Sequence, residues 1–205
     1  MNLTRELQNY LKKNLTLEDA LPTQMPAYVN SMAYLFGVAT LSGLVMLVLT
    51  GVVMTTFGPT WYHVTRIGRF FNSLHFWSVQ VFFGAIVLHL VTKFFMAAWR
   101  DGRWWTWAVG FVAFLVALFT GLTGFLSQTN WDSQWIAVQS KDAINAAGGG
   151  SIINTMDTGQ MLTMHVIVLP LVVVALVGIH LFLIRRDSPV KPLPLHEEKT
   201  EESKP

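Results

Sequence analysis

The chain reads as an all-α protein, a bundle of four membrane-spanning helices, and two observations predict it. Four long apolar stretches stand out along the sequence, and four histidines fall in pairs inside the second and the fourth. The stretches cover residues 31–57, 73–99, 105–127 and 160–184, and each exceeds the roughly 20 apolar residues that cross a bilayer. Overall, 52% of residues are hydrophobic and only 13% charged, with a mean hydropathy of +0.44, far from a soluble domain. A formal charge of only +2 gives no case for nucleic acid. Cysteine is absent, which excludes disulfides, iron–sulfur ligation and thioether attachment of a cofactor through this chain.

The connections follow from the breakers and charges. Between the first two stretches, GPTWYHVTRIGR reads as a short turn, with Gly58 and Pro59 ending the first helix. RDGR at 100–103 is a basic hairpin between the second and third. Residues 128–159 form a longer connection carrying NWDSQW and the glycine-rich AAGGGS. Residues 1–28 show no cleavable signal pattern. Leu3, Leu7, Tyr10, Leu11 and Leu15 recur there at helical spacing among Arg5, Lys12 and Lys13, as in a helix lying on membrane lipid. The domain proper is expected over 29–186, and the Pro-, Lys- and Glu-rich 187–205 as a disordered tail.

Basic residues set the expected orientation. Arg100, Arg103, Arg185 and Arg186 follow the second and fourth stretches, which places those ends and both termini in the cytoplasm. Arg66 and Arg69 on the opposite side argue the other way, while Asp132, Asp142 and Asp157 against a single Lys141 make the second outer connection acidic. A multi-pass protein of a bacterial cytoplasmic membrane is the expectation.

The histidines carry the chemistry. An imidazole at lipid depth is costly and marks function. His75 and His89 are 14 residues apart and His165 and His180 are 15 apart. On a helix the first spacing returns to nearly the same face, with the two rings roughly 21 Å apart along the axis, and the second gives almost the same separation. Two such helices side by side make two bis-imidazole sites at two depths, His75 with His165 outside and His89 with His180 inside. That is an arrangement for two haem irons. A lone histidine could merely hydrogen-bond to a neighbouring helix; four at matched depth are hard to explain that way. His63 and His196 lie outside the stretches and read as surface residues.

Glycine supplies a second register. Gly37 and Gly51 are 14 apart in the first stretch, and Gly110 and Gly124 are 14 apart in the third. A mid-helix glycine costs about 1 kcal/mol relative to alanine. Close helix packing would justify it, but the match to the histidine spacing favours clearance for a porphyrin edge at two heights.

NSLHFWSVQVFFGAIVLHL followed by a basic turn and WWTWAVG, together with MHVIVLPLVVVALVGIHLFLIRR, resembles the second and fourth helices of cytochrome b/b6. The paired glycines match its first and third. The 15-residue gap is similar to the split, plastid-type form, and Pro170 between the ligands can loosen the helix enough to absorb the extra residue. The resemblance implies two non-covalent b-type haems and a quinone/quinol substrate. It also implies a bc-type complex, expected to be homodimeric, with a Rieske iron–sulfur protein and a c-type cytochrome. In that family quinol is oxidised near the outer haem, one electron going to the Rieske centre and one crossing to an inner quinone. The Pro-Glu-Trp-Tyr motif of the quinol site is missing, so a separate three-helix C-terminal subunit must supply it and the chain is not active alone.

Other features depart from the family. Asn72, Phe76 and Thr92 stand where arginines usually meet haem propionates, leaving Lys93, Arg66, Arg69 or Arg100 as substitutes in charge. GFLSQTNWDSQW keeps Gly124, Ser133 and Trp135 of the family's loop motif but loses its proline. Tyr34 replaces the cysteine that attaches an extra haem in the plastid form. Arg185 matches a basic residue near the inner quinone, where a cation could steady developing negative charge, or it only sets topology. Ser42, Thr120 or Thr123 are candidate partners for the second imidazole nitrogens. The other reading is a dihaem anchor linking a hydrogenase or dehydrogenase to quinone, which the spacings fit less well.

Overall fold

In the computed structural model, which describes residues 5, 6, 9, 31–128 and 130–190, the described chain is all helical. The elements are α1 (Met32–Val64), α2 (Arg66–Phe95), α3 (Trp104–Leu126), α4 (Trp131–Ala146) and α5 (Thr158–Asp187). All but α4 are long and apolar enough to cross a membrane, and they correspond to the four stretches read from sequence. Most of their large apolar side chains are exposed, Phe95, Trp77 and Leu171 among them. Facing lipid, they need no protein partner.

The bundle is built from two hairpins. α1 packs closely on α2, and α3 on α5, whereas the backbones of the two pairs touch sparsely. Glycines set both kinds of approach. A Cβ on Gly43 would stand 3.2 Å from Phe82 Cβ, so α1 and α2 cross there with little between them. Between the pairs, a Cβ on Gly121 of α3 would stand 3.0 Å from the Phe83 ring of α2. Phe83 thus pinches the cleft between hairpins at a level between the two histidines of its own helix.

The first turn is tighter than expected. Gly58 does break the helix, at φ +79°, but the chain resumes helix immediately through Pro59, so α1 reaches Val64. Thr65 then caps α2 by accepting from Gly68 N–H at 3.0 Å, and α2 begins at Arg66, several residues earlier than the apolar stretch suggested. Proline at a first helical turn forfeits a bond that would be orphaned anyway, which is why breaker residues did not make a loop.

The long connection between α3 and α5 holds α4, which hydropathy did not reveal. Asn130 caps it, accepting from Ser133 N–H at 2.9 Å, with Asp132 in the first turn. α4 is held down by a small core of Leu126, Ala137 and Met161 and by the Thr155 hydroxyl donating to Ala137 O at 2.7 Å. Trp131 and Trp135 remain exposed.

α5 contains a π-helical segment, Met164–Val168, directly before Leu169–Pro170. Leu169 N–H donates to Met164 O, five residues back rather than four. The segment takes up one residue more than an α-turn would, the accommodation that the 15-residue gap calls for, with Pro170 seated in the first turn of the resumed α-helix.

At the other end, Arg103 donates from Nη2 to Asp187 O at 3.1 Å and from Nε to Ser188 O at 3.2 Å, and Thr106 Oγ1 donates to Asp187 Oδ2 at 2.8 Å. These bonds staple the end of α5 to the start of α3. The tail expected from 187 onward therefore begins with residues anchored on the bundle; residues 191–205 and the surface helix expected within 1–28 lie outside the described residues, apart from isolated positions.

The α1–α2 turn gives a direct test of helix approach. A Cβ on Gly68 would stand 2.6 Å from Tyr62 Cα, deep in backbone, so Gly68→Ala should destabilise by about 1–3 kcal/mol. Gly84, with nothing within 4 Å, should tolerate alanine with no loss. Thermal melts of the two detergent-solubilised variants check the contrast.

Candidate functional site

All four histidines face inward across the cleft between the hairpins, half-buried in a shell of apolar residues. His75 of α2 and His165 of α5 confront each other, ring centres 6.2 Å apart and planes at 84°. Two metal–nitrogen bonds of about 2.0 Å each, plus half of each ring, span roughly 6 Å. The observed gap is thus the one that a single metal ion between two imidazoles requires. Among the described residues no group of three or more histidine, cysteine or acidic side chains could cage an ion, so a group bringing its own equatorial ligands fits better than a bare metal.

Hydrogen bonds fix which nitrogen points to the cleft. The Thr50 hydroxyl donates to Met46 O at 2.7 Å, so its oxygen is left to accept from His75 Nδ1–H at 2.7 Å. His165 Nδ1–H donates to Thr120 O at 2.8 Å, and His180 Nδ1–H to Thr106 O at 2.9 Å. With Nδ1 carrying the proton, Nε2 keeps its lone pair for a metal. Thr120 was foreseen, but it serves through its backbone carbonyl. The Ser42 and Thr123 hydroxyls do not fill this role: that of Thr123 donates to Thr120 O at 3.0 Å, and Thr50 was missed. His89 differs, since its buried Nδ1 has no hydrogen-bond partner among the described residues.

Each of the four glycines lies beside one histidine of the neighbouring helix. A Cβ on Gly51 would meet His75 at 3.5 Å and one on Gly37 would meet His89 at 3.1 Å. On Gly110 it would stand 2.6 Å from His180, and on Gly124 it would clash with His165. In α3 the acceptor carbonyl lies four residues before the glycine in both cases, Thr106 before Gly110 and Thr120 before Gly124. A Cβ leans toward the helix N-terminus, over that carbonyl, so its absence opens the oxygen to the imidazole. Sequence reasoning matched the two registers but not this contact.

Arg185 is exposed in the last turn of α5 and does not join the histidines. Arg66, Arg69 and His63 are exposed near the α1–α2 turn. Lys93, one turn beyond His89, is the cation carried inward: its ammonium is sealed from solvent and lies 3.5 Å over the Tyr34 ring.

The clearances rank the glycines. Alanine at Gly124 or Gly110 should cost about 1–3 kcal/mol, at Gly37 less, and at Gly51 little. Melting temperatures of the four variants test the order, and equal losses at all four positions would contradict the contact.

A family described as cytochrome b(N-terminal)/b6/petB matches residues 80–205. The chain is 24% identical over 206 residues to the menaquinol:cytochrome c reductase cytochrome b subunit of Geobacillus thermodenitrificans, covering 85% of this chain and 91% of that one. It is 25% identical over 203 residues to cytochrome b6 of Heterocapsa triquetra, covering 86% and 92%. Against the cytochrome bc1 complex cytochrome b subunit of Mycobacterium tuberculosis it is 26% identical over 192 residues, 74% of this chain but only 35% of that relative's length. A chain of a hyperthermophilic respiratory Complex III shares the fold, with a TM-score of 0.71 at 21% identity over 95% of this chain and 59% of its own. With more than half of its residues matched on a four-helix membrane fold, the chain belongs to the N-terminal cytochrome b/b6 family.

Proposed function

We propose that the chain is the dihaem cytochrome b subunit of a bc-type quinol oxidoreductase, carrying electrons across the membrane between an outer quinol-oxidation site and an inner quinone-reduction site. The observation that carries this reading is the His75–His165 confrontation, 6.2 Å between ring centres, with both Nδ1 protons already engaged. Bound haem b would supply a one-electron iron couple at each level.

The protein's own residues do the rest. His75 and His165 hold the outer haem and His89 and His180 the inner one. Thr50, Thr120 and Thr106 lock three of the four rings, and the apolar helices keep water from the cleft. Gly37, Gly51, Gly110 and Gly124 let imidazole, and with it the porphyrin edge, lie against backbone. His165 and His180 are set by backbone carbonyls of α3, those of Thr120 and Thr106. Both termini lie in the cytoplasm, and Arg185 stands at the mouth of the inner quinone site.

The relatives support the assembly. Several are cytochrome b subunits of a menaquinol:cytochrome c reductase or of bc complexes. A Rieske iron–sulfur protein, a c-type cytochrome and a separate three-helix subunit with the missing glutamate motif are the partners proposed here, in a homodimeric complex.

Two experiments test this. Mass spectrometry of the complex purified in mild detergent should identify the Rieske protein and the three-helix partner. A hydrogenase or dehydrogenase with neither would leave the dihaem bundle and remove the quinol-oxidising role. For the sites, His75→Ala or His165→Ala should lose one haem per chain in the pyridine haemochrome assay and keep the second. Simultaneous loss of both from either change would argue against two separate sites.

A further inference from the structure

We infer that the ammonium of Lys93 is the seat for a carboxylate of the haem held between His89 and His180. The inference rests on the dihaem reading and assigns the anion contact at its inner end. Lys93 follows His89 by four residues in α2, so both project from one face, with Lys93 about 6 Å farther toward the cytoplasmic end. Its Nζ is sealed from solvent and makes no hydrogen bond among the described residues.

What surrounds the ammonium is organised but incomplete. It rests 3.5 Å above the Tyr34 ring, and the Tyr34 hydroxyl donates to Val190 O at 2.8 Å, bringing the chain beyond α5 over the same corner. A π-face attracts a cation but leaves its three N–H donors unused. Among the described residues the ion pairs join Arg100 and Arg103 to Asp101, and Arg186 to Asp187. Both aspartates are thus engaged with arginine, and no carboxylate of the described chain reaches Lys93. Among the described residues the ammonium thus has no counter-ion, and because an unpaired charge withdrawn from water is strongly unfavourable, the site suits an anion that arrives with a ligand. Haem b carries two carboxylates; a quinone arrives neutral.

The test reconstitutes the full chain with haem b or with its dimethyl ester, for wild type, Lys93→Met and Lys93→Arg. Redox titration follows each haem, and the rate of haem transfer to apomyoglobin follows retention. With haem b, Lys93→Met should shift only the inner haem to a more negative midpoint and speed its loss several-fold, while Lys93→Arg stays near wild type. The ester in wild type should speed inner-haem loss as Lys93→Met does, with ester and variant combined adding nothing further to that rate, while its midpoint moves the opposite way, to more positive values, because a negative rather than a positive charge is removed. The inference is overturned if Lys93→Met leaves the inner midpoint and retention unchanged. Loss of quinone reduction alone would likewise overturn it, by placing the ammonium at the quinone. A wild-type chain that takes up no haem would instead overturn the dihaem reading itself.

Discussion

A neutral imidazole at lipid depth has one N–H to place on an acceptor without help from water, and three of the four histidines of this bundle find one on a neighbouring helix. An unsatisfied polar group in hydrocarbon costs several kcal/mol. The available acceptors are helix carbonyls, each with one lone pair left after its own helical bond. α3 offers two, at Thr106 and Thr120, and removes the side chains that would cover them by placing glycine four residues on. α1 serves His75 differently, with the buried Thr50 hydroxyl accepting its proton. On α3, because 14 residues come close to four full turns, the carbonyl and glycine that serve one depth recur at the other on the same face. The glycine register and the histidine register are therefore one requirement seen on neighbouring helices.

The same need explains why the two hairpins are tight within themselves and sparse between. Gly43 against Phe82 closes α1 on α2, and the staple of Arg103 and Thr106 on Asp187 closes α3 on α5. Across the cleft, contact is left to the Phe83–Gly121 pinch and to the paired rings. Helices in lipid gain nothing from burying leucine against leucine, so hairpins with lipid-facing apolar surfaces have little driving force to close a gap. A rigid group ligated from both sides would join them, and its binding energy would then be part of the bundle's stability.

Much of this was legible in the sequence because the bilayer imposes simple rules. Four spans follow from length and hydropathy, and the two depths from histidine spacing alone. The misses have physical reasons. α4 is too polar for a hydropathy scan, and its signal was local, Asn130 and Asp132 ahead of Trp135 and Ile136. The early start of α2 was hidden because Gly58 and Pro59 were read as loop, when one left-handed glycine suffices for a kink and proline can open a helix. Thr50 was missed because a threonine in an apolar stretch most often bonds its own helix, which this one does as well. The bonding of Nδ1 to Thr120 and Thr106 through carbonyls is invisible to any reading of side chains.

The π-helical segment shows how spacing in sequence and spacing in space come apart. Fifteen residues of ideal α-helix would turn His165 about 60° from the face of His180, whereas fourteen leave the pair about 40° off in the other sense. Met164–Val168 takes up the additional residue, since Leu169 reaches back to Met164, and the two histidines then present themselves as a 14-residue pair would. Pro170 favours that solution: without an N–H it cannot hold the carbonyl of Val166 in an α-turn, so widening the ladder just before it sacrifices less than elsewhere in the helix. His165 sits inside the widened turn and still meets Thr120 O at 2.8 Å. The setting of His165 is thus maintained by α3, through one carbonyl and one glycine, while the helix that carries the histidine bends its own regularity to reach it.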